Sequence, residues 1–201
     1  MFQNYFKTAF RNFTKYSKYT FINILGLAIG FAACMIIFQY VQQELNYDKF
    51  HINYKKIYRL QFKGKISDDF FNVALSCAPM GGAMEKEMPE VESAVRVHRT
   101  KANAFFQYGD NKFYEDSFLW ADSAFFKIFS FGLIRGDQNK VLKIPYSIVL
   151  TESTAKKYFG NSDPIGKSLK LNGDKNYLVT GICRDVPPNS HIKFDLIASF
   201  N

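Results

Sequence analysis

The sequence predicts an α+β fold: an amphipathic N-terminal helix and one membrane-spanning helix, followed by a mixed α+β extracytoplasmic domain. Three observations lead there. Residues 19–43 contain no charged side chain, and the 18 residues before them carry Lys7, Arg11, Lys15 and Lys18 and no acid. Residues 44–201 then interleave short β-type runs with capped helices on the scale of one domain.

Composition narrows the classes. The 201 residues include 26 Lys+Arg against 18 Asp+Glu, a net charge of +8, and 47% are hydrophobic. That is too apolar for a disordered chain and too mixed for a multi-span membrane protein. Taking the four N-terminal cations from the 26 leaves 22 basic against 18 acidic side chains in the remainder, a net of +4. The basic excess is therefore partly a topological signal, and no nucleic-acid partner is read from it.

Residues 1–18 form the first segment. Phe2, Tyr5, Phe6, Ala9, Phe10, Phe13 and Tyr16 recur at i, i+3, i+4, i+7, with Lys7, Arg11, Asn12, Lys15 and Lys18 opposite. This is the pattern of an amphipathic helix. Phe2, Phe6, Phe10 and Phe13 suit the acyl boundary, and Lys7, Arg11 and Lys15 suit anionic headgroups, so the helix is expected to lie in the cytoplasmic interface. A signal-anchor flank without further purpose is the plainer reading.

Residues 19–43 form the second segment. As a helix, 25 residues reach about 37 Å, more than the roughly 30 Å hydrocarbon core. Basic residues before the run and Glu44 and Asp48 after it place the N-terminus in the cytoplasm and residues 44–201 outside. A cleaved signal peptide has a shorter apolar region. Ala32-Ala33-Cys34 loosely matches a lipoprotein box, but Met35-Ile36-Ile37-Phe38 continues the apolar run beyond the cysteine. Gly26 and Gly30 make a G-x-x-x-G that lets another helix approach closely. The partner helices are expected to lie elsewhere.

Residues 44–201 form the third segment. Tyr58, Leu60 and Phe62 alternate with Arg59, Gln61 and Lys63 as in a half-buried strand. A helix starts near Pro79, carries Met80, Met84 and Met88, and stops before Pro89. Val95 and Val97 suggest another strand. Asp122-Ser123 is expected to cap a short helix bearing Phe125, Phe126 and Phe129 as core residues. Tyr146 to Leu150 is a β-rich run. Thr151 caps a helix with Glu152 early, Lys156 and Lys157 late, and Gly160 closing it. Leu169 and Leu171 lead into the turn Asn172-Gly173, and Tyr177 to Cys183 returns as a strand. Pro187-Pro188-Asn189-Ser190 breaks it, and Phe194 to Phe200 is expected to begin an element that is cut off.

Catalytic patterns are few. Ser153-Thr154-Ala155-Lys156 matches S-x-x-K, but no K-T-G or S-D-N accompanies it. Gly160 to Ser168 ends in Gly166-Lys167-Ser168 like a phosphate loop, yet its glycine spacing is one residue too long, Pro164 interrupts it, and helix precedes strand. No catalytic residue, cofactor site or metal site is expected. His51, His98 and His191 show no ligand spacing to each other or to a cysteine. Cys77 and Cys183 are either a disulfide or two buried thiols.

Taken together, the residues resemble a known family. Asn4-Tyr5-Phe6-Lys7 through Ala9-Phe10-Arg11-Asn12, then Phe21 to Gly30, then Glu44-Leu45-Asn46-Tyr47-Asp48-Lys49-Phe50-His51, are similar to the N-terminus of ABC transporter permeases of the MacB/FtsX type. Leu150 to Gly160, with Asp163-Pro164-Ile165-Gly166-Lys167, resembles that family's MacB-like periplasmic core domain. The resemblance implies a subunit that is not an enzyme. A cytoplasmic ABC ATPase would drive its helices, and the periplasmic domain would turn that movement into export or release of a substrate, a process called mechanotransmission. It also implies an inner-membrane location, further permease helices or a second permease protomer as packing partners of Gly26 and Gly30, and at least three further spans, so the 201 residues are expected to be a fragment or a truncated gene product with a partial periplasmic domain. An alternative is a single-span anchor presenting an extracytoplasmic binding or sensing domain; a third reading is a serine hydrolase using Ser153 and Lys156.

Overall fold

The computed structural model describes residues 2–66, 68–99 and 104–200. The chain falls into two compact units, one ending at Tyr47 and one starting at Asp48. The first consists of α1 (Phe2–Lys15) and α2 (Ser17–Leu45). Tyr16 interrupts the helix with φ −116° and ψ 46°. No residue of α2 is buried, which sets it apart from a core helix of equal apolarity.

The second unit is mixed α and β, as the sequence predicts. It begins with a single turn of 3₁₀ helix, Tyr54–Lys56, and a separate antiparallel pair, β1 (Phe62–Ile66) and β2 (Asp69–Val73). The helix α3 (Met80–Glu87) follows Pro79 and ends where Met88 turns extended ahead of Pro89. The rest is built on a nine-stranded mixed sheet whose path runs β3 (Val97–Arg99), β6 (Phe118–Ala121), β11 (Leu196–Ser199), β8 (Ser147–Thr151), β10 (Lys175–Cys183), β9 (Ser168–Leu171), β4 (Ala104–Tyr108) and β5 (Asn111–Glu115). The strand β7 (Leu133–Arg135) pairs with the end of β10 beyond β9. The helices α4 (Phe125–Ile128) and α5 (Glu152–Phe159) complete the element order.

The central strands are covered on both faces. Ile148, Leu150, Leu196 and Ala198 join one apolar cluster with Ala155, Tyr158 and Phe159 of α5. Their neighbours Val149 and Ile197 join a second with Phe125, Phe126, Phe131 and Phe194. Full burial of each large side chain contributes about 1.5–3 kcal/mol. A bulge in β10 at Thr180 shifts its register against β8. Beside it Gly181 leaves room for Val141, whose Cγ1 would lie 2.8 Å from an added Cβ.

Several expectations are corrected. Phe194 to Phe200 holds β11, a strand paired with β6 on one side and β8 on the other. A strand buried on both faces reads as a continuous apolar run, so no alternation marked it. The first strand starts at Phe62, not Tyr58, because pairing with β2 begins only at Phe62↔Val73 and Tyr58 stands 84% exposed. Val95 precedes β3. Asp122 does not cap α4 with its side chain; both carboxylate oxygens are taken by Arg96, through its backbone N–H and a two-pronged guanidinium contact.

Other expectations hold. The Thr151 hydroxyl accepts from the backbone N–H of Thr154 at the start of α5, and Gly160 ends it with φ +59°. Asn172 and Gly173 both take positive φ between β9 and β10. The cysteines depart from both alternatives: Cys183 is a buried free thiol directed at the Leu150 carbonyl, but Cys77 is free and exposed, so they are neither a disulfide nor two buried thiols.

Candidate functional site

Three groups of residues carry the functional reading. The first lies in the helical unit. In α1, Phe6, Phe10 and Phe13 are 56–79% exposed, and Lys7, Arg11 and Lys15 are also exposed. Phe2 is helical, but its side chain lies outside the described residues. α2 has 29 residues, about 43 Å of helix, and is long and apolar enough to cross a membrane. It extends two residues beyond each end of the uncharged run 19–43. A Cβ on Gly26 or Gly30 would meet nothing within 4 Å, so both glycines leave open surface one turn apart.

The second group fixes the start of the sheet unit. Asp48 adopts φ +55° and donates its N–H to the Asn189 carbonyl at 2.9 Å. Its carboxylate accepts the His191 N–H at 2.9 Å and lies 2.7 Å from His191 Nδ1. Three residues on, His51 is buried, and its Nδ1 accepts the Ser130 N–H at 3.1 Å. The Ile52 N–H donates to Ser130 Oγ at 2.9 Å. The imidazole packs among Phe50, Phe129 and Phe131, with ring centroids 4.0–5.3 Å away. Burial lowers its pKa below 6.5, with Asp48 pulling the other way. Only the motif Glu44–His51 pointed to these residues; their partners lie some 79 and 143 positions away, out of reach of any local pattern.

The third group surrounds α5. Glu115 is 5% exposed, and its Oε1 accepts from Tyr158 Oη at 2.7 Å and from Lys157 Nζ at 2.9 Å. Burial first, then Glu115, raises the phenol pKa above its usual 10. Ser153 donates both its N–H and its hydroxyl to Asp185. A carboxylate thus sits at the N-terminus of α5, where the helix dipole favours it. The serine is engaged by an acid, while Lys156 stands exposed. Asp163 holds Arg135 through two contacts of 2.6 and 3.0 Å and accepts the Ile165 N–H at 3.1 Å, shaping the turn into Gly166 (φ +79°). The segment Gly160 to Ser168 joins helix α5 to strand β9, the opposite order to a phosphate loop. Among the described residues no group of three or more His, Cys, Asp or Glu is placed to hold a metal.

Residues 20–200 match the family model of the MacB-like periplasmic core domain. Among solved structures, the chain is similar to a domain of a Porphyromonas gingivalis protein named as a permease, at 26% identity and TM-score 0.50, covering 59% of this chain and 55% of that one. It is also similar to the periplasmic region of MacB from Actinobacillus actinomycetemcomitans (20% identity, TM-score 0.44, 59% and 52% covered). A third likeness is to the extracellular domain of the noncanonic ABC-type transporter YknZ from Gram-positive bacteria (16%, 0.39, 50% and 51%). The chain spans about half the length of these structures. No curated protein matches it.

Proposed function

The chain belongs to the family of the MacB-like periplasmic core domain, and from that premise we propose that it serves as the N-terminal portion of a permease subunit of the MacB/FtsX type. One observation carries the reading: the family match starts inside α2 and runs to the last described strand, so the span and the domain behind it match as one piece. In this reading α2 crosses the inner membrane, α1 lies along its cytoplasmic face and the sheet unit stands in the periplasm. A cytoplasmic ABC ATPase supplies the energy, and the chain hydrolyses nothing. Movement of the permease helices reaches the sheet unit through the chain that leaves α2, which Asp48 and His51 clasp to the loops at Asn189–His191 and Ser130. The clasp supports mechanotransmission because a pull on residue 48 meets two fixed points rather than a free linker.

Crosslinking in native membranes followed by purification of the chain tests this. Recovery of an ABC ATPase subunit, lost when α1 and α2 are replaced by an unrelated anchor, is the expected result. Recovery of no ATPase from membranes that hold the intact chain overturns it.

A further inference from the structure

Positive charge does not end at the span. Between residues 49 and 65 the chain carries Lys49, Lys55, Lys56, Arg59, Lys63 and Lys65, and no acid until Asp68. The side chains stand exposed. Among the described residues only Lys65 of these six has an ion-pair partner, and its Asp68 is itself fully exposed. The stretch is also rich in exposed large apolar groups: Ile52 and Tyr58 at 85% and 84%, and Phe70 at 84%. The β1–β2 pair sorts these into faces. Its register puts Phe62 opposite Val73 and Gly64 opposite Phe71 on one side, and Lys63 and Lys65 opposite Asn72 and Phe70 on the other. Lys65 Nζ lies 5.4 Å from the Phe70 ring centre, and Lys55 Nζ 5.8 Å from that of Tyr54. Among the described residues the ribbon pairs with no strand of the nine-stranded sheet, and an isolated two-stranded ribbon is marginal in water.

We propose that residues 52–65 and 68–70 form an interfacial foot that rests on anionic phospholipid headgroups of the leaflet facing the sheet unit. Charge and chain length favour this occupant. Eight residues lie between Leu45 and Tyr54, so the nine steps of covalent chain keep Tyr54 within about 30 Å of the end of α2 however the units are arranged. Aromatic rings beside Lys and Arg are the chemistry of the membrane–water interface, where the rings enter the acyl boundary and the long cations reach phosphates. Each cation near an anionic surface strengthens binding about fivefold. The cations after α2 do not reverse the orientation read from its N-terminal flank, since long domains cross largely regardless of charge. The inference rests on α2 being a span, and the test reports that separately.

The full chain is placed in nanodiscs of phosphatidylcholine alone, or with one third phosphatidylglycerol, and amide hydrogen exchange is followed. Protection of residues 20–43 in both discs reports insertion of α2. The expected result is exchange at residues 54–65 slowed at least about fivefold in the anionic discs, reversed by high salt and absent in a K55E/K56E/R59E/K63E variant. The amides of Ile148 and Ile197 stay protected in that variant, showing that it is folded. Equal exchange in the two discs, with α2 protected, overturns the proposal. So does slowing that appears only when an acidic polypeptide is added, which would assign the surface to an acidic protein.

Discussion

Ser130 holds His51 by its backbone and the next residue by its side chain: the Ser130 N–H donates to His51 Nδ1 at 3.1 Å, and Ser130 Oγ accepts from the Ile52 N–H at 2.9 Å. An Nδ1 that accepts needs its lone pair, so the folded imidazole is neutral with its proton on Nε2. Burial depresses its pKa below 6.5, so the unfolded chain binds this proton at a pH where the folded one does not. The stabilisation is complete only well above pH 6.5 and is lost as pH falls through 6.5 and below. The unfolding temperature should drop between about pH 7.5 and 5.5, and the drop should shrink in His51→Gln, which keeps an acceptor but does not titrate. Asp195, whose pKa burial raises, acts in the opposite direction but equally in both proteins. An identical pH dependence in wild type and His51→Gln would sink the assignment.

Glu115 is a buried acid with two donors, and its loss should cost more than the loss of either. Tyr158→Phe removes one charged-acceptor hydrogen bond and leaves Lys157 in place, a change of about 1.5–3 kcal/mol. Glu115→Ala strands the phenol of Tyr158, which is 1% exposed, and adds its desolvation penalty of about 1–3 kcal/mol. Urea denaturation of the two single variants and the double gives the coupling directly. A coupling near zero would show that the phenol and carboxylate do not act on each other.

What could be read from the sequence was the part in which residues answer to near neighbours. Thr151, Glu152, Lys156, Lys157 and Gly160 define α5 because capping and dipole effects act within one turn. Asn172-Gly173 marks its hairpin for the same reason. What was lost depends on distant partners. The hairpin of β4 and β5 turns at Gly109 (φ +57°) and Asp110 with aromatic residues on both sides, a local signal that went unread. The strand β11 gave no alternation because both its faces are covered. Asp122 has the chemistry of a helix cap but meets Arg96, 26 positions back, and the salt bridge wins. At the joint, Asp48 and His51 stood inside a family motif, yet the physical reason for them became visible only with Asn189, His191 and Ser130 folded against them.

Two turn glycines should respond differently to alanine. At Gly136 (φ +104°) an added Cβ would lie 2.6 Å from Val141 Cγ1 and 2.8 Å from the Thr180 carbonyl oxygen, so backbone strain and a clash combine. At Gly166 (φ +79°) nothing lies within 4 Å, and only the strain remains. Gly166→Ala should cost about 1 kcal/mol and Gly136→Ala at least about 3 kcal/mol, measured by chemical denaturation. Comparable losses at the two sites would contradict the packing of Val141 against the β10 bulge.

Gly26 and Gly30 should matter only when α2 has company. Among the described residues an added Cβ would meet nothing beyond its own helix backbone and chain neighbours within 4 Å at either position. Leucine at both sites removes the close-approach surface while raising helix propensity and apolarity, so insertion of α2 and folding of the sheet unit should be untouched. Association is a different matter: helices in lipid gain from packing that small residues permit, and a leucine pair holds the backbones apart. The expected outcome for Gly26→Leu/Gly30→Leu is normal membrane insertion, an unchanged unfolding temperature of the sheet unit, and loss of the in-membrane crosslinks formed through Cys34, four residues beyond Gly30 on a nearby face of the same helix. Crosslinks that persist at the wild-type level would place the packing surface of α2 on another face.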